Sequence, residues 1–376
     1  MDGSSEKKST VVETLVIRNI EDKNELKLKL KEIIKAGKDY KFDVFECLKS
    51  LLTNSDEEII ILVIQAISEL AKSGDKRETY AQKDIIEPIL LKLEKEVNSE
   101  NTELLKQCCR VLGNLCCDCD TGRSVSLESN GVRILMKLIE ATLDKDDETF
   151  DEIRHLASKC ILNFAIGGPE FSVAIQSSIE LFNRILVLEL DKDDMCDVMV
   201  STSLLILNVI NENIPEFIFD ENVNKTVLNI LRETTNVEIS ELCLDHLQIQ
   251  AEQDAVKTLI ASEKGLHLVC KRLEQLISKQ NTGDLNAEDS EVNYVMKQAC
   301  DLIIIVLTGD KAMHMLYENG KGEIYAIMER WLDHENIQLQ TTAALAMGNF
   351  ARKAEHCIQM TDNEIFTKLL SKFCEF

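Results

Sequence analysis

Apolar residues recur along this chain with the period of a helix. Val132, Leu135, Met136 and Ile139 fall at i, i+3, i+4 and i+7, which gathers them into one stripe on an α-helix. Ile230, Leu231 and their neighbours follow the same rule less regularly. The runs 59–64 and 302–307 are apolar without interruption. Each is too short for a bilayer, which needs about 18–20 residues, so both are expected to be helix segments buried on all sides.

A longer pattern overlies the short one. An amphipathic helix, a polar break, a stretch ending near Gly or Asn, and a compact apolar helix follow one another repeatedly. Val111-Leu112-Gly113-Asn114-Leu115 leads to Asn130-Gly131-Val132-Arg133-Ile134-Leu135, and Met347-Gly348-Asn349-Phe350 leads to Asp362-Asn363-Glu364-Ile365. In one register Glu69, Asn114, Asn163, Asn208, Ile249, Ile305 and Asn349 are equivalent, at spacings of 45, 49, 45, 41, 56 and 44. Most lie near the roughly 40–47 residues of HEAT and armadillo units. Two polar acidic loops, 144–148 and 279–291, account for the 49- and 56-residue units. The expected fold is therefore all-α, a right-handed superhelical solenoid of armadillo type. Each unit covers the apolar face of its neighbour, and the third helices line one shared face where a partner would lie.

This predicts an N-terminal extension and capping helix over 1–42, with Lys27, Lys29, Lys31 and Lys35 along it. A solenoid of about seven units follows over 43–376, the last incomplete. Residues 365–370 begin a second helix with no third after it, so a truncated product, splice form or fragment of a longer solenoid is expected.

Composition sharpens the picture. Leu, Ile, Val and Ala dominate the apolar 45%, aromatics are 5%, and there are 3 prolines and 14 glycines. Such a balance suits stacked helices. The net charge of −24 disfavours nucleic acid and anionic lipid and favours basic partners, although acidity also serves solubility. The polar start of the chain and the lack of an apolar span predict a cytosolic protein without membrane insertion, expected to be a monomer. Its 13 cysteines are then reduced thiols. Cys108, Cys109, Cys116, Cys117 and Cys119 lack paired Cys-x-x-Cys spacing, so buried packing is expected over a metal site.

No cofactor or catalytic set emerges. His155, His246, His267, His314, His334 and His356 are scattered without a nucleophile motif, and read as helix-surface residues. Gly167-Gly168-Pro169 lacks the Gly-Lys-Ser of a phosphate loop. The acidic residues Glu238, Glu241, Asp245, Glu252 and Asp254 surround one third helix; Glu241 and Asp245, four apart, share a face. They are either a solvated face or a site for a basic tail. Asn114, Asn163 and Asn208 could bond an extended peptide backbone or a neighbouring repeat. Leu112, Leu115 and Leu135 could line a lipid pocket or simply fill the core.

Several stretches resemble the small-GTPase GDP-dissociation stimulators, an armadillo-type family. They are Leu307-Thr308-Gly309-Asp310-Lys311-Ala312-Met313, Gly320-Lys321-Gly322, Trp331, Gln338-Leu339-Gln340, Ala343-Ala344-Leu345-Ala346, Asn349-Phe350-Ala351-Arg352 and Cys357-Ile358-Gln359-Met360. Leu112-Gly113-Asn114-Leu115-Cys116 with Gly122-Arg123-Ser124, and the run 251–257, resemble further repeats. The similarity extends over roughly 40–370 and is strongest from about 296. It implies a cytosolic protein that binds Rho- and Rap-type GTPases through basic, prenylated tails. Such a protein stimulates nucleotide exchange and shields new GTPases by binding alone. It further implies that Asn349 and Arg352 lie on the face used for GTPase contact. Lys353 stands where the family has Asn, and the family continues through several more repeats. The alternative is a general armadillo scaffold or adaptor reading an extended basic peptide. Importin-like grooves carry regularly spaced Trp, whereas Trp331 is alone here.

Overall fold

The computed structural model describes residues 20, 22–145, 147–282 and 288–373. Among these residues there are helices and turns and no strand. The chain divides into two compact units between Phe182 and Asn183, and the division falls within one helix.

The first unit contains α1 (Lys23–Ala36), α2 (Phe45–Leu51), α3 (Glu57–Leu70), α4 (Gly74–Tyr80), α5 (Lys83–Glu96), α6 (Thr102–Cys116), α7 (Asp120–Glu128), α8 (Gly131–Thr142), α9 (Glu148–Ala165) and α10 (Pro169–Ile175). Helix α11 (Ile179–Leu190) carries the division. The second unit contains α12 (Asp197–Asn213), α13 (Glu221–Glu233), α14 (Val237–Gln250), α15 (Asp254–Ser262), α16 (Gly265–Thr282), α17 (Asp289–Leu307), α18 (Asp310–Tyr317), α19 (Glu323–Trp331), α20 (Ile337–Phe350), α21 (Ala354–Asp362) and α22 (Ile365–Phe373).

Long third helices form a ladder in each unit. In the first, α1, α3, α6 and α9 pack in succession; in the second, α12, α14, α17 and α20 do. A third helix is therefore flanked on two sides and floored by its own second helix. This explains why Ile59, Ile60, Leu62, Val63, Ile64, Ala66, Ile67 and Leu70 of α3 are all buried. Each such Leu or Ile contributes about 1.5–3 kcal/mol relative to exposure. The stripe on α8 is close to expectation: Val132, Leu135 and Ile139 are buried with Ile134 and Leu138, whereas Met136 is only half-buried. Leu112, Leu115 and Leu135 fill the core.

Short polar side chains start the third helices. Asp56, Asn101, Asp147, Asn236 and Asn336 each accept a backbone N–H from the first turn that follows, satisfying donors that have no intrahelical partner. Two of the cap asparagines also reach back one third helix. Asn101 donates to Glu57, and Asn236 Nδ2 donates to Asp197 Oδ2 at 2.9 Å.

Two spacings have structural causes. The 41-residue unit has no first helix; residues 214–220, which include Pro215, form an irregular connection instead. In the 56-residue unit, helix intrudes into the expected loop 279–291, since α16 runs to Thr282 and α17 starts at Asp289. Residues 283–287 of that loop lie outside the described residues, as does Asp146 of the loop 144–148. One segment, Pro169–Leu190, is long and apolar enough to cross a membrane by length and composition. A 3₁₀ turn at Gln176–Ser178 interrupts it, and Phe171, Ile175, Leu181, Phe182 and Leu186 are buried, as in a core element.

Candidate functional site: an acidic third-helix face

Asn114 and Asn163 lie in the first unit. Asn114 Nδ2 donates to Ser68 O at 3.0 Å, and Asn163 Nδ2 donates to Gly113 O at 3.1 Å. Each amide thus bonds the third helix before its own. In the second unit the direction reverses, with Asn208 Nδ2 donating to Leu242 O at 2.9 Å. Of the two roles open to these residues, the inter-repeat one describes their amides as they stand.

Arg352 and Asn349 sit at the end of α20. Arg352 Nη2 donates to Thr308 O at 2.7 Å and Leu307 O at 3.2 Å, and pairs with Asp310 at 3.2 Å. It therefore caps the C-terminus of α17, where carbonyls lack partners and a cation opposes the dipole. Arg77 and Arg123 act alike in the first unit, on Cys117 O at 2.6 Å and Asn163 O at 2.8 Å. Asn349 is half-buried.

The acidic residues behave differently. Glu238, Glu241 and Asp245 follow one face of α14, and α12 and α17 add Glu212 and Glu291 beside them. Among the described residues, no lysine or arginine pairs with any of these five. Burial, then Glu241 and Glu212, raise the Asp245 carboxyl to about 6, opposed by a hydrogen bond from Gln298. Burial, then Glu238 and Glu291, raise Glu241 as well. Half-exposed Tyr294 on α17 has its phenol raised chiefly by Asp245. This is a crowded anionic surface without an internal counter-ion.

Glu252 and Asp254 stand apart. Glu252 is exposed past the end of α14 and is not among the groups acting on Asp245. Asp254 pairs with Lys257 at 3.0 Å. A hollow of about 650 Å³ at the start of α12 and end of α13 carries Asp191, Asp193, Asp194 and Glu233 and reaches Asn236, next to Glu238.

Sequence reasoning missed Glu212, Glu291, Tyr294 and Gln298. Only the packing register of three helices brings Glu212, Tyr294 and Gln298 to Asp245 and Glu291 to Glu241. It also misplaced two histidines. His246 and His356 are buried at 0% and 2% exposure, where a neutral ring with both nitrogens bonded is stable. Only His314 is exposed; His155, His267 and His334 are half-buried.

Cys108, Cys109, Cys116 and Cys119 are buried and Cys117 half-buried. Burial pushes Cys108 and Cys116 up to about 12, which keeps them as thiols. Among the described residues, no three His, Cys, Asp or Glu are grouped to hold a metal ion.

Stacked three-helix units with a shared third-helix face define an armadillo-type solenoid. Solved structures of similar fold include an engineered protein (17% identical, 96% of this chain and 93% of that one, TM-score 0.58). A β-catenin structure from work on its interaction with cadherin is also similar (13% identical, 93% and 70%, TM-score 0.57). No protein-family model matches the chain. By sequence the chain is a homologue of the GTPase–GDP dissociation stimulators. It is 31% identical to the stimulator vimar of Drosophila melanogaster, over 88% of this chain and 51% of vimar. It is 25% identical to Rap1 GTPase–GDP dissociation stimulator 1-B of Xenopus laevis, over 87% and 52%. The chain spans about half the length of these curated relatives.

Proposed function

We propose that this chain binds a small GTPase of the Ras superfamily, Rho or Rap type. It takes the basic, prenylated tail on the acidic third-helix face of its second unit. The observation that carries this reading is the set Glu212, Glu238, Glu241, Asp245 and Glu291, which has no internal cation. Self-repulsion there falls when a cationic segment arrives, and the field steers that segment inward.

Release of GDP then needs no catalytic side chain. A protein that binds the nucleotide-free GTPase more tightly than the GDP-bound one shifts the equilibrium towards it, and GTP refills the site. Holding the tail also shields a newly made GTPase, and such work belongs in the cytosol. Arg352 bonds the carbonyls at the C-terminal end of α17, the helix that also carries Glu291, and so steadies that helix; Asn349 and Arg352 are proposed as GTPase contacts on the resemblance alone.

Capture of a prenylated GTPase, measured beside a tail-deleted one, tests the reading, with fluorescent-GDP release followed in parallel. Tail-dependent capture that weakens with salt is expected, together with its loss in Glu238→Gln/Glu241→Gln. Equal capture of both forms would sink the tail-binding step and favour an adaptor with another ligand.

A further inference from the structure

Around Asp245 acceptors outnumber donors, and some are out of reach of water. Gln298 is 4% exposed; its Nε2 donates to Asp245 Oδ1, while its Oε1 is buried with no donor. On the other flank of α14, Asn208 is 5% exposed, and its Oδ1 is likewise buried and unpaired. Asn208 lies one helical turn before Glu212 on α12. One unsatisfied amide oxygen thus belongs to the side chain bonded to a carboxylate that already has two carboxylate neighbours, and a second lies on the helix packed against the other flank of α14. Buried acceptors without donors are rare and call for an unseen partner. Here that partner must bring several N–H groups and a positive charge.

We propose that Asp245, Gln298 and the flanking acceptors form a subsite for an arginine side chain of the bound basic segment. The proposal rests on the reading of this face as a basic-segment site. A guanidinium presents five N–H donors in a rigid plane and can serve a carboxylate and an adjacent amide oxygen together. An ammonium is a point charge with three tetrahedral donors and fits such a set poorly. In the free protein Gln298 Nε2 occupies the Asp245 oxygen. An arriving guanidinium takes that place, and a half-turn of the Gln298 amide offers it Oε1 instead.

The subsite has a proton signature. Asp245 must be ionised to pair, yet burial, Glu241 of its own helix and Glu212 of α12 raise it to about 6, with Tyr294 and Gln298 of α17 beside it. Near pH 6 binding therefore releases about half a proton.

The experiment uses two fluorescent octapeptides of equal charge, one carrying arginines and one lysines, titrated into the full chain. The arginine peptide is expected to bind about tenfold more tightly. Calorimetry at pH 6 in two buffers of different ionisation enthalpy should show proton release, absent in Asp245→Asn. Gln298→Leu should remove the arginine preference, bringing the two peptides to about the same affinity. Gln298→Met serves as a second variant if the first melts early. Equal affinities, or a preference surviving both Gln298 variants, overturn the subsite while the basic-segment reading stands. Binding of neither peptide overturns that reading and the subsite with it.

Discussion

His246 Nδ1 lies 3.1 Å from Asn211 Nδ2, and that contact fixes the ring's tautomer. Asn211 Oδ1 already accepts from Gln250 Nε2 at 2.8 Å, so its amide N–H is the donor to His246. The other ring nitrogen, Nε2, then donates to Asn224 Oδ1 at 3.2 Å. Gln250 Oε1 accepts from Phe219 N at 2.9 Å and so ties the irregular connection 214–220 to α14. A proton on Nδ1 would meet a donor head-on.

Acid should therefore weaken the second unit. Burial lowers the His246 pKa from 6.5 to about 3. The unfolded chain takes up this proton and the folded chain does not. The contribution is complete above about pH 6.5 and falls by roughly 1.4 kcal/mol per pH unit below it, down to about pH 3. Urea unfolding at pH 7, 6 and 5 should show the decline. His246→Phe should be less stable at pH 7 but flatter in this range, and an unchanged slope would clear His246 of the effect.

Asp245 runs the opposite way. Its folded carboxyl is raised from 3.8 to about 6, so the folded protein binds this proton first and loses stability as pH rises from about 4 through 6. Asp245→Asn should raise the melting temperature at pH 7 and leave the acid-side loss from His246 in place. A lower melting temperature at pH 7 would contradict the repulsion described at this face.

Backbone conformation gives a third case. Asn130, Lys264 and Glu364 each precede a second helix with φ of 60°, 57° and 60°. Left-handed backbone suits Asn and strains Lys and Glu by about 1 kcal/mol. Lys264→Asn should raise the melting temperature by a few degrees, and no gain would mean that other contacts of Lys264 outweigh the strain.

Close approach of backbone makes Gly122 intolerant. A Cβ there would sit 2.1 Å from Leu115 O, and neither helix can yield without losing packing. Gly122→Ala should cost about 1–3 kcal/mol or more, read by chemical denaturation. Gly74→Ala, where a Cβ meets nothing within 4 Å, is the control and should be near neutral.

Thiol reactivity should follow exposure. Cys196 is exposed, Cys117 and Cys357 are half-buried, and the other described cysteines are buried. A disulfide reagent at pH 8 should modify Cys196 fastest, with Cys108, Cys109 and Cys160 reacting only in denaturant. Rapid labelling of Cys109 in the native protein would contradict the core placement.

Much of the fold was legible because a solenoid writes its period into one dimension. The register through Asn114, Asn163 and Asn208 falls on third helices, and the residues share a job, although Asn208 reaches forward where the other two reach back. The recurrent Asp or Asn at the start of five third helices was equally visible in the sequence. The missing first helix at 214–220 was hidden in a 41-residue spacing that still lies within the armadillo range.

The site was half legible. Glu238, Glu241 and Asp245 share one helix, so periodicity finds them. Glu212 and Gln298 come from helices 33 residues before and 53 after Asp245, and their meeting depends on how third helices slide against one another. Burial hid His246, which single-residue reading places outside because most histidines of amphipathic helices face water.

Helix-to-helix bonds such as Asn208 to Leu242 and Asn236 to Asp197 have a mechanical meaning. They join neighbours and nothing further along the chain. A molecule pulled from its ends would peel one unit at a time, each of roughly 40–47 residues. At about 3.4 Å per extended residue, every rupture would lengthen the tether by on the order of 150 Å, and the chain would behave as a series of springs rather than as a single brittle core.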